Sequence, residues 1–435
     1  MLTRPPMATA GDTSDRGDGS ESALPRAFGR YLLMERLSQG GMGELFVARH
    51  GLSGFEKLVV IKKVLPDLVA DEGFIRRFID EAQVAVVLQH ANIAQVFEVG
   101  RVGQEYFLAM EYVEGRDLRR TLDALHASGE RMPTDAALYV AREVATGLSY
   151  AHRRTDSAGE PLKLVHCDVS PPNVMMSFEG ETKVIDFGIA SSVLRSGYSG
   201  EGGTDGESQG KGFGKYGYMA PEQIIKGRAI DHRTDLYALG VILFEMLTGE
   251  RLYTPASQPD FRELARKVAR GEHALPSDID ASLAEFDDLV RRALEPDPAD
   301  RYQSAAEFRD ALQHALVSLS PTYTQDQLGG YLRGVFAEEA ARQRRVRDEL
   351  EHTDIGEWAP ELRTASPSTV SFALASLPEW VAAAESGRRE DHATRIVDPA
   401  SGPPAGRGSW ALLGGVVGAA IAVLAVVLWS LVSGG

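Results

Sequence analysis

The sequence predicts an α+β protein of two lobes, strand-rich first and helix-rich second, with one transmembrane helix near its C-terminus. Three observations predict it. Short apolar runs with strand character and glycine turns occupy residues 28–113. From about residue 117 the apolar positions recur at helical spacing. Strands followed by helices, not alternating with them, mark an α+β arrangement. Finally, Trp410–Val432 contains no charged residue. At 1.5 Å per residue it is about 34 Å long as a helix, against a bilayer core of about 30 Å.

Each element follows in order. Residues 1–27 are rich in Gly, Ser, Asp and Pro, lack an apolar leader, and read as a disordered tail; Met7 is an alternative start. "YLLMERL" and "ELFVARH" flank a glycine-rich turn, and "EKLVVIKKVL" is a third strand. Residues 71–90 place Phe74, Phe78, Ala82 and Val86 four apart, which predicts an amphipathic helix. "QVFEVG" and "EYFLAMEYV" are further strands. Residues 135–152 carry Leu138, Ala141, Val144, Ala145, Leu148 and Ala151 on one helical face. "TDLYALGVILFEMLTG" is apolar nearly all round, so it predicts a buried helix stopping at Gly249. Residues 197–214 hold eight glycines and predict a mobile loop. Residues 318–352 read as a charged helical extension and 353–409 as a juxtamembrane linker.

Composition narrows the function. The chain has 435 residues, 43% hydrophobic and 25% charged, as an ordinary globular protein does. Its net charge of −16 opposes nonspecific nucleic-acid binding, which recruits Lys and Arg to phosphates. A single cysteine, Cys167, excludes an internal disulfide or cysteine-based metal cluster.

Several motifs point to phosphate chemistry. Gly40, Gly41 and Gly43 lie in "LSQGGMGELFVA" between two strands, where backbone N–H groups approach phosphate oxygens; alone they fit a hairpin turn equally well. Lys62 in "VVIK" supplies a cation on the next strand, and Glu81 on the following helix is the carboxylate to hold it. In "VHCDVSPPNV", Asp168 is the candidate to orient an incoming hydroxyl. Asn173 and Asp186, the latter in "VIDFGIA", are hard oxygen ligands for Mg²⁺. Glu222 in "YMAPEQ" is a candidate ion-pair partner for Arg301. Glycine loop, Lys, Glu, H-x-D-x-x-x-x-N, DFG and APE in this order form a connected series.

With these motifs, residues 31–317 resemble a protein kinase domain of the bacterial eukaryotic-like serine/threonine type, and we place the domain at 28–317. The resemblance implies a bilobal fold with a β-rich N-lobe and an α-helical C-lobe. It implies ATP and Mg²⁺ as cofactors and protein Ser/Thr hydroxyls as acceptors. It lines the nucleotide site with Leu37, Leu45, Met110, Glu111, Val113 and Asp117 as well as the glycines, and makes Asp235 the anchor of the catalytic loop. Pro171 favours Ser/Thr over Tyr by the same resemblance.

Three departures stand out. Ser38 replaces the first loop glycine, which predicts a tuned ATP affinity. Cys167 replaces the Arg that receives an activation-loop phosphate, predicting weaker dependence on loop phosphorylation. Its thiol reads as a small buried side chain or as a redox switch. Ser170 replaces the Lys that contacts the γ-phosphate, while Lys215 stands where the family has a Thr beside that Lys. The expectation is an exchange in which Lys215 reaches the place Ser170 vacated; the alternative is a solvated lysine.

The expected molecule is an active kinase, with a nucleotide-binding pseudokinase scaffold as the rival and a small-molecule kinase as a third reading. Arg388, Arg389, Arg395 and Arg407 precede the apolar span, so the positive-inside rule predicts a single-pass inner-membrane protein with a cytoplasmic kinase domain. A buried core helix and a cleaved lipid-anchor signal are the other readings of the span. Gly414 and Gly418 form G-x-x-x-G, a possible homodimer face.

Overall fold

The computed structural model describes residues 24–352 apart from 41–42, 51–56, 157, 188–215, 226 and 254–260, together with 358, 362 and 369–371. The first part is a sheet of seven antiparallel-paired strands in the order β1-β2-β3-β4-β6-β5-β10. These are β1 (Arg26–Phe28), β2 (Tyr31–Gln39), β3 (Gly43–His50), β4 (Lys57–Val64), β5 (Val96–Val102), β6 (Glu105–Glu111) and β10 (Thr369–Ser371). Two helices interrupt them, α1 (Pro66–Val69) and α2 (Glu72–Val86). The expected amphipathic helix at 71–90 is therefore present, shorter by one residue at its start and four at its end.

Side chains alternate across β4 because successive Cβ atoms point to opposite faces. Val59 and Ile61 pack on one face with Phe28, Tyr31, Phe46 and Phe107. Val60 and Val64 pack on the other with Ile75, Phe78, Ala82 and Ala85 of α2. Lys62 shares their parity, and its register partners are Leu45 on β3 and Leu108 on β6. The strand thus delivers one lysine to the face that α2 covers.

The second part is helical around a separate core. A small sheet joins the parts: β7 (Gly115–Asp117), β8 (Val174–Ser177) and β9 (Thr182–Val184), in that order. The helices are α3 (Leu118–Ser128), α4 (Thr134–His152), α5 (Pro221–Ile224), α6 (Arg233–Thr248), α7 (Phe261–Arg270), α8 (Pro276–Ile279), α9 (Asp287–Ala293) and α10 (Ala305–Leu319). Helix α6 is buried over nearly its whole length, as its all-round apolar sequence requires. It ends at Gly249, whose φ of +76° makes a left-handed cap that a side chain would strain. Glu222 and Arg301 form the expected pair: two parallel contacts of 2.8 Å, buried, with Thr234 Oγ1 donating to Glu222 Oε1 at 2.7 Å.

Two more helices follow, α11 (Gln325–Val335) and α12 (Ala337–His352). Leu328, Leu332, Phe336 and Ala340 belong to the same apolar cluster as α4 and α6. The charged extension expected from sequence is therefore docked along an apolar stripe. No helix among the described residues is long and apolar enough to cross a membrane, and Trp410–Val432 lies outside the described residues, as does the glycine-rich stretch 197–214.

Candidate active site

The H-x-D segment is held by one carboxylate from 67 residues downstream. Asp235, at the start of α6, accepts the backbone N–H groups of His166 at 2.9 Å and Cys167 at 2.8 Å. It also accepts from His152 Nε2 at 2.8 Å. Burial alone would push the Asp235 carboxyl up. The hydrogen bond and charge of His152, with the backbone hydrogen bond of His166, outweigh burial and hold it below the usual carboxylate range. Cys167 adopts φ of +63°, and Asp186 adopts +57°. Such left-handed residues with a Cβ cost on the order of 1–3 kcal/mol each and persist only where neighbours over-determine them. Cys167 is constrained by Asp235 on its N–H and by Gln223 Nε2, which donates to its carbonyl at 2.9 Å.

His166 orients the loop it belongs to. Its Nδ1 accepts from the Asp168 N–H at 3.2 Å, and its Nε2 donates to the Ile185 carbonyl at 3.1 Å. This is the tautomer with the proton on Nε2. The Ile185 N–H donates in turn to the Asn173 carbonyl at 2.9 Å. The residue before Asp186 is therefore tied by both its backbone groups to the catalytic-loop segment. Phe187 follows, packing edge-on against His166 with ring centroids 4.6 Å apart. It also lines a pocket with Ala82 and Ala85 of α2, and with Leu108 and Met110.

Four of the residues expected from sequence meet here. Lys62 Nζ lies 2.9 Å from Asp186 Oδ2, across the cleft between the lobes. Asn173 Nδ2 donates to the Asp168 carbonyl at 2.8 Å and to Asp168 Oδ2 at 3.0 Å. The Asn173 amide oxygen then remains the acceptor end. With Asp186, it forms a hard-oxygen donor set that suits Mg²⁺. Ser170 is buried, and its hydroxyl turns back toward the Asp168 carbonyl at 3.4 Å.

The lining residues also have places. The Gly40 N–H donates to the Gly43 carbonyl at 2.9 Å, closing the turn. A Cβ on Gly43 would come within 2.1 Å of the Lys63 carbonyl oxygen, so only glycine fits. Leu37 is exposed, and Leu45 is half-buried beside Lys62. Met110 ends the buried part of β6. Glu111 pairs with Lys183 at 3.0 Å. Val113 is half-buried, and Asp117 caps α3 by accepting from the Arg120 N–H at 2.9 Å. Gly41, the Glu81 side chain and Lys215 lie outside the described residues.

Sequence reasoning assigned no role to His152, Gln223 or Lys183. His152 ends α4 on the inner face, and Gln223 is the last residue of "YMAPEQ", so both positions were visible without a partner being so. A fourth group is the buried set Arg119, Tyr218 and Glu245, in which Arg119 Nη2 and the Tyr218 hydroxyl both donate to Glu245 Oε2 at 2.7 Å. Burial pushes the Glu245 carboxyl up, and Tyr218 and Arg119 offset it only in part.

Comparison with known proteins agrees with this geometry. Residues 31–317 match the family described as protein kinase domain. The chain is 37% identical over 323 residues to the tyrosine-protein kinase MasK of Myxococcus xanthus, covering 74% of this chain and 48% of that protein. It is 35% identical over 303 residues to the serine/threonine-protein kinase PksC of Streptomyces coelicolor, covering 68% and 51%. With PknB of Mycobacterium tuberculosis it shares 35% over 285 residues, covering 64% and 42%. The chain thus spans about half the length of these curated relatives. Among solved structures, a mutant form of the Mycobacterium tuberculosis PknI kinase domain superposes with a TM-score of 0.50 at 29% identity. The match covers 67% of this chain and 98% of that one.

Proposed function

Since this chain belongs to the protein kinase family, we propose that it transfers the γ-phosphoryl group of ATP to Ser or Thr hydroxyls of protein substrates. Family members use ATP and Mg²⁺. The donors present fit that pair. Asp186 and the Asn173 amide oxygen would hold the cation, Lys62 the phosphates, and the turn at Gly40–Gly43 would lie over them. MgATP, when bound, supplies the phosphoryl group and the charge that screens it.

The chain's own residues do the rest. Asp168 accepts the hydrogen bond of the incoming hydroxyl and aims its oxygen at phosphorus. Asn173 keeps one Asp168 oxygen directed by donating to it. Asp235 fixes the loop that carries both. Lys62 Nζ, now 2.9 Å from Asp186 Oδ2, would pair with phosphate oxygens, leaving the Asp186 carboxylate to hold the cation. Lys215 supplies the positive charge that Ser170 cannot, stabilising the transition state electrostatically. Trp410–Val432 anchors the protein in the inner membrane as a single pass with the kinase domain cytoplasmic, and Gly414 and Gly418 pair two copies there.

The observation that carries the reading is the Ile185 backbone. Its carbonyl is bound to His166 and its N–H to Asn173, so Asp168, Asn173 and Asp186 belong to one hydrogen-bonded unit, with Lys62 reaching in from β4. Absence of Asp168, Lys62 or Asp186 would have favoured a pseudokinase scaffold, and all three are present. Tyrosine specificity is a second reading, because the relative at 37% identity is named a tyrosine kinase. The test is phosphoryl incorporation by the full chain in detergent from labelled MgATP, followed by phosphoamino-acid analysis. Label on Ser and Thr, abolished by Asp168→Asn, is expected. Label on Tyr alone would favour the second reading, and equal incorporation by both proteins would defeat phosphotransfer at Asp168.

A further inference from the structure

Helices α11 and α12 are fitted to the turn between β8 and β9 and to residues 114–116. Gly180 has φ of +85°, and a Cβ there would come within 1.9 Å of the Gln325 carbonyl oxygen. A Cβ on Gly329 would come within 2.9 Å of the Phe178 oxygen and the Gly180 nitrogen. Backbone meets backbone at this contact, and only a glycine on each side permits it. Arg333 donates to the Phe178 carbonyl, while the Phe178 N–H donates to the Glu114 carbonyl at 2.9 Å. Gln325 Nε2 donates to the Glu179 carbonyl at 3.1 Å.

Helix α12 then runs along the segment that leaves the hinge. Arg347 Nη1 pairs with Glu114 Oε2 at 2.8 Å. Gln343 Nε2 lies 3.4 Å from the Gly115 carbonyl. The Arg116 guanidinium stands 5.9 Å from the Phe336 ring centroid, with Phe336 joining α11 to α12. Arg342 reaches Glu35 on β2, just before the glycine turn, at 4.0 Å. Three consecutive residues, Glu114 to Arg116, are thus each engaged from α12 or from Phe336 just before it. They connect the hinge residues Glu111–Val113 to Asp117. Tyr112, between them, is mostly buried, and burial with the charges of Glu114 and Glu35 pushes its hydroxyl up to about 12.

A helix that served only to cover the C-lobe core would spend its polar side chains on solvent. Most polar side chains of α12 face solvent, but Gln343 and Arg347 turn to the hinge exit and Arg342 reaches toward Glu35 on the opposite lobe. We propose that α12 is a working part of the nucleotide site, and that Arg347 is a positioning residue that sets the hinge exit through Glu114. Arg347 touches neither nucleotide nor substrate; it fixes the backbone against which the adenine and ribose are placed. The inference rests on the kinase reading above, since it takes the hinge as the nucleotide's seat.

The test uses the full chain in detergent, with MgADP affinity by calorimetry beside KM for ATP and kcat. Arg347→Glu sets two carboxylates against each other. It is expected to weaken MgADP binding and raise KM about three- to tenfold, with kcat within twofold. Arg347→Lys should recover most of the loss. The exchange Arg347→Glu with Glu114→Arg should restore affinity to within twofold, which general damage to packing would not. Arg344→Glu, an exposed site on the same helix, should change nothing. Affinity within twofold of wild type for Arg347→Glu overturns the proposal. So does a loss that the exchange fails to restore. If Arg347→Glu does not fold, Arg347→Gln takes its place, and affinity within twofold of wild type for that variant overturns the proposal. Wild-type protein that binds no MgADP would overturn the kinase reading itself, and this proposal with it.

Discussion

Replacing Asp235 with Asn isolates the long-range contact on which the catalytic loop depends. The carboxylate takes three donors: His166 N at 2.9 Å, Cys167 N at 2.8 Å and His152 Nε2 at 2.8 Å. An amide of the same shape has one accepting oxygen and one donating NH₂, so at least one buried N–H must face another donor. An unsatisfied buried polar group costs about 1–3 kcal/mol, and breaking a buried charged contact about 3–5 kcal/mol. With a shift of about 2 °C per kcal/mol for a domain of this size, Tm should fall by about 6–10 °C. The released strain at Cys167 would let the loop relax, and a displacement of about 1 Å at Asp168 is enough for a 10²-fold loss of kcat. Calorimetry and steady-state phosphoryl transfer measure the two effects. The acid response adds a third. Because the folded-state pKa of Asp235 is depressed, its stabilisation is fully present above the unfolded value of about 3.9 and is lost as pH falls through the lower folded value. The stability gap between wild type and Asp235→Asn, read from urea unfolding, should be wide at pH 7 and close as pH drops below about 3.9. A folded variant with kcat within threefold of wild type, and a gap independent of pH, would refute the role assigned to this carboxylate.

Two further outcomes follow from other parts of the molecule. If Lys215 replaces the catalytic-loop lysine, Lys215→Ala should lower kcat by about 10²-fold, an order expected for one preorganised transition-state charge; a kcat within threefold in a folded protein would end the exchange idea. Gly180→Ala should displace α11, since its Cβ would come 1.9 Å from Gln325 O in a left-handed conformation; limited proteolysis should then cut within 325–352 first, and unchanged resistance would argue against that contact.

Much of the fold was legible because its signals are local. The alternation through β4, the spacing of α2 and α4, and the all-round apolar α6 each follow from short windows of sequence. Asp168 and Asn173 were legible as a pair because five residues of loop bring them to 3.0 Å. The pairing of Glu222 with Arg301 was also named among the motifs, although 79 residues separate the two. The docking of the extension was not, because "RQRRVRDEL" looks solvated until Glu114 is placed beside it.

The sequence by itself determined which chemistry this chain carries: a lysine on a strand, an acid and an amide in one loop, and an acid before a glycine. Short-range spacing and residue type suffice for that. Tertiary structure decided which distant groups hold that chemistry in place, and of these only Asp235 was named beforehand, through the resemblance to a known family. Asp235 reaches back to His166 and Cys167, Gln223 to Cys167, and Arg347 to Glu114. In each case the partners lie more than fifty residues apart. Charge and hydrogen-bonding capacity are written at every such position, but many partners would satisfy them, and only the packing of helices around α6 selects one.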